Sequence, residues 1–248
     1  MKKLYIQHFG KLVSVKTALL FNILILTVSN LSGQTVNDTL TDSRRENYKQ
    51  FILPAALLAG SVVLYNEPVR KEIQGFFPNT QTHVDDWLRY APIAELYAFD
   101  LMGFKHRNTV LVQTGNLVLS QLIAGGVVTL LKNSIHARRP SGGIHSYPSG
   151  HTNAAFVGAT VLYQEFRDTE PLLAWSGYAL AASTGILRVT NDAHWLPDVM
   201  AGAAVGILVT NLVYRFGPFN RGLFSGKRLN MYIYPEVDRK SVCLLLTF

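Results

Sequence analysis

The sequence predicts an all-α fold, a helical bundle of about six core helices embedded in a membrane, with a short C-terminal β-hairpin. Three observations carry this expectation. Hydrophobic residues make up 48% of the 248 positions and charged residues only 16%, against about 25% charged in an average soluble domain. The apolar surplus comes in blocks of helical length. The blocks at 151–166, 171–187 and 197–215 are rich in Ala and Gly, small residues that let helices approach closely. A chain of this length holds one bundle with an appendage and leaves little for a second domain.

Residues 1–34 place Lys2, Lys3, Lys11 and Lys16 before a short apolar run and close on small residues. This is the layout of a secretory signal peptide or of an uncleaved signal anchor. No cysteine follows the apolar run, which excludes a lipoprotein anchor. Residues 35–49 are polar and aperiodic and read as a linker. The main domain is expected over 50–220 and a tail over 221–248. Within the domain, 51–65 is a short apolar helix with Pro54 in its first turn, where a missing N–H costs nothing. Residues 66–90 are polar, with a turn at Pro78-Asn79 and the pair Asp85-Asp86 where a helix starts. A helix over 85–103 carries Glu95 and Asp100, acids that make it a poor span. The run 109–131 has spanning length. Its Gln113, Asn116 and Ser120 share one face and read as a polar seam against another helix. In the tail, arms at 230–234 and 241–248 rich in β-branched and aromatic residues flank P-E-V-D-R-K, a hairpin pattern.

The net charge of +7 attracts phosphate-bearing partners and anionic head groups. The basic residues are scattered and accompany no DNA or RNA motif, so nucleic acid is not an expected partner. Cys243 is the only cysteine; a disulfide framework and a Cys-rich zinc site are excluded, and the residue reads as a small apolar side chain. No spacing of His and carboxylates suggests a metal site, and no cofactor is expected.

The chemistry gathers in two loops. Consecutive antiparallel helices put alternate loops at one end, so the basic loop after 109–131 meets the loop between 171–187 and 197–215. One composite site results, holding Lys132, Arg138 or Arg139, Ser149, His151, Arg188, His194 and Asp198. Lysine and arginines neutralise a dianionic phosphoryl group, arginine through forked hydrogen bonds. The turn Ser149-Gly150-His151 leads into a helix, so free backbone N–H groups and the positive dipole end face the same anion. Gly150 lets the backbone come close. Two imidazoles supply an attacking group and a proton donor. Asp198, four residues after His194, fixes its tautomer and stabilises its cation. Taken singly each motif is unremarkable: a basic helix end, a capped turn, an acid in a first helical turn. His8, His83, His106, His136 and His145 have no assigned chemistry, though His136 and His145 border the site.

Together these residues resemble the type 2 phosphatidic acid phosphatase superfamily, which also holds bacterial class A acid phosphatases and vanadium haloperoxidases. Its signature K-x6-R-P, P-S-G-H, S-R-x5-H-x3-D occurs in order as Lys132 to Pro140, Pro148 to His151, and Arg188-x5-His194-x3-Asp198. The resemblance covers roughly 50–216. It implies that His194 is the nucleophile forming a phosphohistidine, that Asp198 orients it, and that His151 is the general acid. It further implies that Lys132, Arg139, Arg188, Ser149 and the Gly150 N–H hold the phosphoryl oxygens without metal. Leu187 stands where the pattern has Ser, which puts part of the phosphate grip in question.

The activity implied is a phosphatase for lipid phosphate monoesters or diphosphates, such as phosphatidic acid, phosphatidylglycerophosphate, undecaprenyl diphosphate or lipid A. A soluble periplasmic nonspecific acid phosphatase is the nearest rival, then a haloperoxidase, then a phospholipid-binding or transport protein without turnover. Six spans, at 17–33, 51–65, 109–131, 151–166, 171–187 and 197–215, with 85–103 not crossing, put Arg70, Lys71, Lys105 and Arg107 inside and the site in the periplasm. With the signal cleaved and every later helix crossing, the site would face the cytoplasm instead; a soluble or peripherally attached periplasmic bundle is the third topology, because spans of about 16 residues fall short of the roughly 20 a crossing needs.

Overall fold

A computed structural model describes residues 48–221, 230–235 and 242–247. The expected signal segment and nearly all of the linker lie outside the described residues. Eight helices follow in order: α1 (Lys49–Leu64), α2 (Glu67–Gln74), α3 (Val84–Leu88), α4 (Ala91–Leu101), α5 (Val110–Ile135), α6 (Gly150–Phe166), α7 (Pro171–Thr190) and α8 (Leu196–Phe216), closed by a 3-10 turn at Pro218–Arg221. Beyond them the backbones of β1 (Asn230–Pro235) and β2 (Val242–Thr247) pair antiparallel, Asn230 opposite Thr247. The domain is all-α, with six core helices once the short α2 and α3 are set aside.

Two prolines shape the start of the bundle. α1 begins two residues earlier than its apolar run, so Pro54 falls inside the helix and not in its first turn. Proline has no N–H for the carbonyl four residues back. That carbonyl, of Gln50, instead accepts from Asn211 Nδ2 on α8 at 2.9 Å. The second case is Pro92. The single helix expected over 85–103 is two helices, α3 and α4, with the break at Arg89 and Tyr90, because the Pro92 ring would clash with the carbonyl of Leu88 in a continuous helix.

α6 and α8 form the centre. α6 packs on α7, α8, α5 and α4, while α1 covers α8. Leu96, Val157, Val161, Leu162, Phe166 and Val205 are among the buried core side chains. α6 and α8 cross closely because α8 presents glycines. A Cβ on Gly202 would lie 2.4 Å from the Ser149 carbonyl oxygen and one on Gly206 2.8 Å from that of Asn153. The polar seam of α5 is buried, with Gln113, Asn116 and Ser120 all at 0% exposure. Gln113 Nε2 donates to Asp100 Oδ2 of α4 at 2.6 Å, so the seam packs against another helix as its spacing predicts.

The antiparallel run of α5 to α8 makes two ends. One end gathers the C-termini of α5 and α7 and the N-termini of α6 and α8. The far end joins the loop before α5 to the end of α6, with Arg107 N donating to Glu165 O at 2.9 Å. α1 ends on the first side, where Ser61 Oγ donates to Pro197 O at 2.8 Å. α4 then runs back to the far end, where Asp100 meets Gln113.

This path corrects the topology expected from the sequence. Arg70 stacks 4.9 Å over the Trp195 ring at the first end, whereas Lys105 and Arg107 lie at the far end, so the four basic residues do not share a side. Among the described residues two helices, α5 and α8, are long and apolar enough to cross a bilayer, and α1 with α2 would count as a third only as a pair bent by 103°. α6, with 17 residues, is short and carries Asn153, Gln164 and Glu165 inward. α5 turns Leu111, Val118, Leu122 and Leu130 outward. An apolar face of that length associates the protein with membrane lipid.

Candidate active site

The first end holds the predicted residues together. Lys132, in the last turn of α5, donates Nζ to the carbonyl of His145 at 2.6 Å and of Ser146 at 3.4 Å. His145 Nδ1 returns a bond to the Lys132 carbonyl at 3.0 Å. The loop from 136 to 149 is thereby folded back over the end of its own helix. His136 starts the reversal in the left-handed conformation, with φ 50°.

The second loop is tied to the first. Ser149 N donates to Asp198 O at 2.9 Å and Trp195 Nε1 to Arg138 O at 2.8 Å. Arg138 is exposed and contributes its carbonyl. Arg139 is partly buried, with Arg188 repelling and Asp198 attracting its charge, and burial lowers its pKa. The matched arginine is therefore the one turned into the site.

His194 is buried, 1% exposed. Its backbone N and that of Ala193 both donate to the Arg188 carbonyl at 3.1 Å, which explains the fixed interval between arginine and histidine. Nδ1 stands 3.5 Å from Asp198 Oδ2, a loose contact of the kind that tightens when substrate binds. Asp198 is itself held, Oδ2 accepting from Trp195 N at 3.0 Å and from the Ser146 hydroxyl. Burial brings His194 down to about 4, outweighing the attraction of Asp198, while Lys132 and Arg188 push the same way as burial. The imidazole is neutral at pH 7, the form that attacks.

α6 begins at this spot. Ser149 is its N-cap, its Oγ accepting from Thr152 N at 3.4 Å and Thr152 Oγ1 at 2.9 Å, which leaves the hydroxyl hydrogen to donate. A side chain on Gly150 would come within 4.0 Å of Lys132 Cε, so the bare backbone faces the lysine. Among the described residues, Nε of Arg139 and Nε of Arg188 are buried without a hydrogen-bond partner, while Nδ1 of His194 is turned to Asp198. Buried donors are nearly always paired. Two guanidinium donors left open around one helix N-terminus describe a place for an anion.

Four contributors were not legible as site residues. Asp85, 1% exposed, takes Arg188 Nη1 on Oδ2 and Asn191 Nδ2 on Oδ1 at 2.7 Å. Asp86 Oδ1 lies 2.9 Å from His151 Nε2 and Arg89 Nη1 3.2 Å from it. Ser146 steadies Asp198. The Asp-Asp pair was visible only as a helix start, because its partners come 103 and 65 residues later. Leu187 is partly buried, and the carboxylate on Arg188 comes from Asp85 instead. Ligand atoms of Asp85, Asp86 and His151 lie within 4.8 Å of one another, but a divalent cation there would meet the guanidiniums of Arg188 and Arg89, which makes this a poor fit for a metal.

The family model described as the PAP2 superfamily matches residues 113–221. Over residues 113–221 the chain is similar to the PAP2 superfamily. This PAP2 region contains every residue of the three-part signature and excludes Asp85, Asp86 and Arg89. A curated protein named lipid A 1-phosphatase, from Porphyromonas gingivalis, is 37% identical over 138 residues, 54% of this chain and 30% of that protein. The match thus spans about a third of that relative's length. Two solved structures are similar at TM-scores below 0.5. They are Aquifex aeolicus LpxE (0.45, 19% identity, 58% of this chain, 94% of that one) and a transmembrane PAP2 type phosphatidylglycerolphosphate phosphatase from Bacillus subtilis (0.47, 20%, 68% and 96%).

Proposed function

We propose that this protein is a metal-independent phosphatase for the phosphate monoesters or diphosphates of membrane lipids, working through a phosphohistidine. The observation that carries the reading is the cluster of unpartnered, buried donors around the start of α6, beside a neutral buried imidazole. A phosphoryl group fills that place. Lys132, Arg139 and Arg188 neutralise its oxygens, the Ser149 hydroxyl and the Gly150 N–H donate to them, and the dipole of α6 adds to the attraction. His194 Nε2 attacks phosphorus while Asp198 takes up the charge that develops on the ring. His151 protonates the departing oxygen, and the same ring then draws a proton from the water that releases phosphate.

A lipid substrate is supported by the outward apolar face of α5 beside the site and by the name of the relative, which acts on lipid A by that name. A periplasmic site is supported by the secretory layout of 1–34.

The test is phosphate release from a panel of lipid phosphates by the detergent-solubilised protein, with His194→Ala as control, and from a water-soluble aryl phosphate by intact spheroplasts. Release from at least one lipid, lost by about 10⁴-fold or more in the variant, is the expected result. Capture of lipid without release, unchanged by the substitution, would mean a binding protein. Aryl phosphate hydrolysed only after lysis would move the site to the cytoplasm.

A further inference from the structure

The imidazole of His151 has its own carboxylate. We propose that Asp86 is a positioning residue for His151, holding Nε2–H so that Nδ1 is the atom that carries a proton to the leaving group. The proposal rests on the phosphatase reading above and adds to it a group that lies outside the matched PAP2 region.

The argument starts from the two neighbours of Nε2, Asp86 Oδ1 at 2.9 Å and Arg89 Nη1 at 3.2 Å. A lone pair on Nε2 would face a carboxylate oxygen at hydrogen-bond distance, which is repulsive; an N–H there donates to it. The hydrogen therefore sits on Nε2, and Arg89 meets the ring as a charge. In keeping with this, the bond from His151 is the largest influence on the Asp86 carboxyl and holds it below its ordinary pKa. His83 Nδ1, 3.5 Å from Oδ2, adds to the same effect. With Nε2 occupied in both charge states, the proton that comes and goes is the one on Nδ1.

Charge makes the partner necessary. Arg89 from the turn after α3 and Arg188 from the end of α7 both oppose an imidazolium at 151, and so does the ring's partial burial. Asp85, the nearest other acid, is already bound to Arg188 and Asn191. Asp86 is the anion in direct contact with the ring, so it sustains the charged form the general acid needs. Adjacent positions on one helical turn point about 100° apart, which is how consecutive carboxylates serve Arg188 and His151 separately.

The proton balance is explicit. As the bond from His194 Nε2 to phosphorus forms, the bond from phosphorus to the leaving oxygen breaks and its electron pair stays on that oxygen. The oxygen takes the Nδ1 proton of His151, whose ring becomes neutral. Water then attacks phosphorus, returns a proton to Nδ1 and displaces His194.

The experiment compares wild type, Asp86→Asn and Asp86→Glu on a long-chain alkyl phosphate and on p-nitrophenyl phosphate across pH. The alkyl oxygen needs the proton and the nitrophenolate does not. Asp86→Asn is expected to lower kcat/KM about 10²-fold on the alkyl ester, to leave the aryl ester within a few-fold, and to move the alkaline limb for the alkyl ester to lower pH. Asp86→Glu should restore most of both. Equal losses on the two esters, or an unmoved limb, would overturn the proposal. A ¹⁵N-histidine NMR titration reads the same contact without turnover. The expected neutral form of His151 carries its hydrogen on Nε2, with a lower pKa in Asp86→Asn; the other tautomer, or an unchanged titration, counts against Asp86. Absence of hydrolysis of any ester by wild type would remove the phosphatase reading, and the NMR result would still decide the contact.

Discussion

The two ends of α6 handle buried polar groups in opposite ways. At its C-terminus Glu165 is 1% exposed, an anion where the helix dipole disfavours one. Both oxygens are satisfied. Asn108 donates from its backbone N at 2.8 Å and Nδ2 at 2.9 Å, and Tyr214 OH donates at 2.6 Å. Next to it Gln164 donates to Asn211 at 2.9 Å. At the N-terminus the dipole favours an anion and the chain supplies cations, yet Arg139 and Arg188 keep donors unpaired. A polar group that is fully paired inside the protein is part of the fold. Guanidinium donors that are buried and left open beside a helix N-terminus are held ready for an anion, at some cost in stability.

This contrast can be tested by changing each end. The largest effect is expected at the open end. Arg188→Lys keeps a cation beside Asp85 but loses the fork, and should lower kcat/KM on the preferred phosphate ester by about 10²-fold with little change in thermal inactivation. A large fall in stability with activity per folded molecule preserved would make Arg188 a fold residue. At the paired end Glu165→Gln should do the reverse. It weakens three charge-assisted bonds, which costs about 1–3 kcal/mol, and leaves the kinetics of the folded protein unchanged. A specific loss of turnover would link the far end to the chemistry.

The smallest effect concerns pH. His194 sits at about 4 in the folded protein, against about 6.5 unfolded. The unfolded chain takes up a proton as pH falls through 6.5 and the folded protein does not. The stabilisation from this group is therefore complete above 6.5 and is lost on the way down to 4. Between pH 7 and 5.5 the loss is about 1 kcal/mol, measurable as faster thermal inactivation. His194→Gln should remove that part of the slope; a slope as steep as in wild type would mean that another group sets it.

The relation between His194 and Asp198 could be read from the sequence because four residues at a helix start is a local distance. The relation between the two loops could be read because antiparallel helices alternate their ends. Pro54 was expected one turn too early and the break before Pro92 was missed within 85–103, since the first depends on a side chain of α8 to take up Gln50 and the second on a ring clash that apolar periodicity does not register. The crossing scheme failed for a related reason. Arg70 and Arg107 look alike in sequence, and only the run of α4 back along the bundle puts one beside Trp195 and the other beside Glu165.

The helical class, the buried seam of α5 and the set of residues that converge on an anion are legible in the chain alone, because they follow from residue chemistry at short and periodic spacings. The tertiary structure decided which carboxylates face that set. Asp85 and Asp86 reach Arg188 and His151 across 103 and 65 positions, and contacts at such separations are fixed by how helices pack.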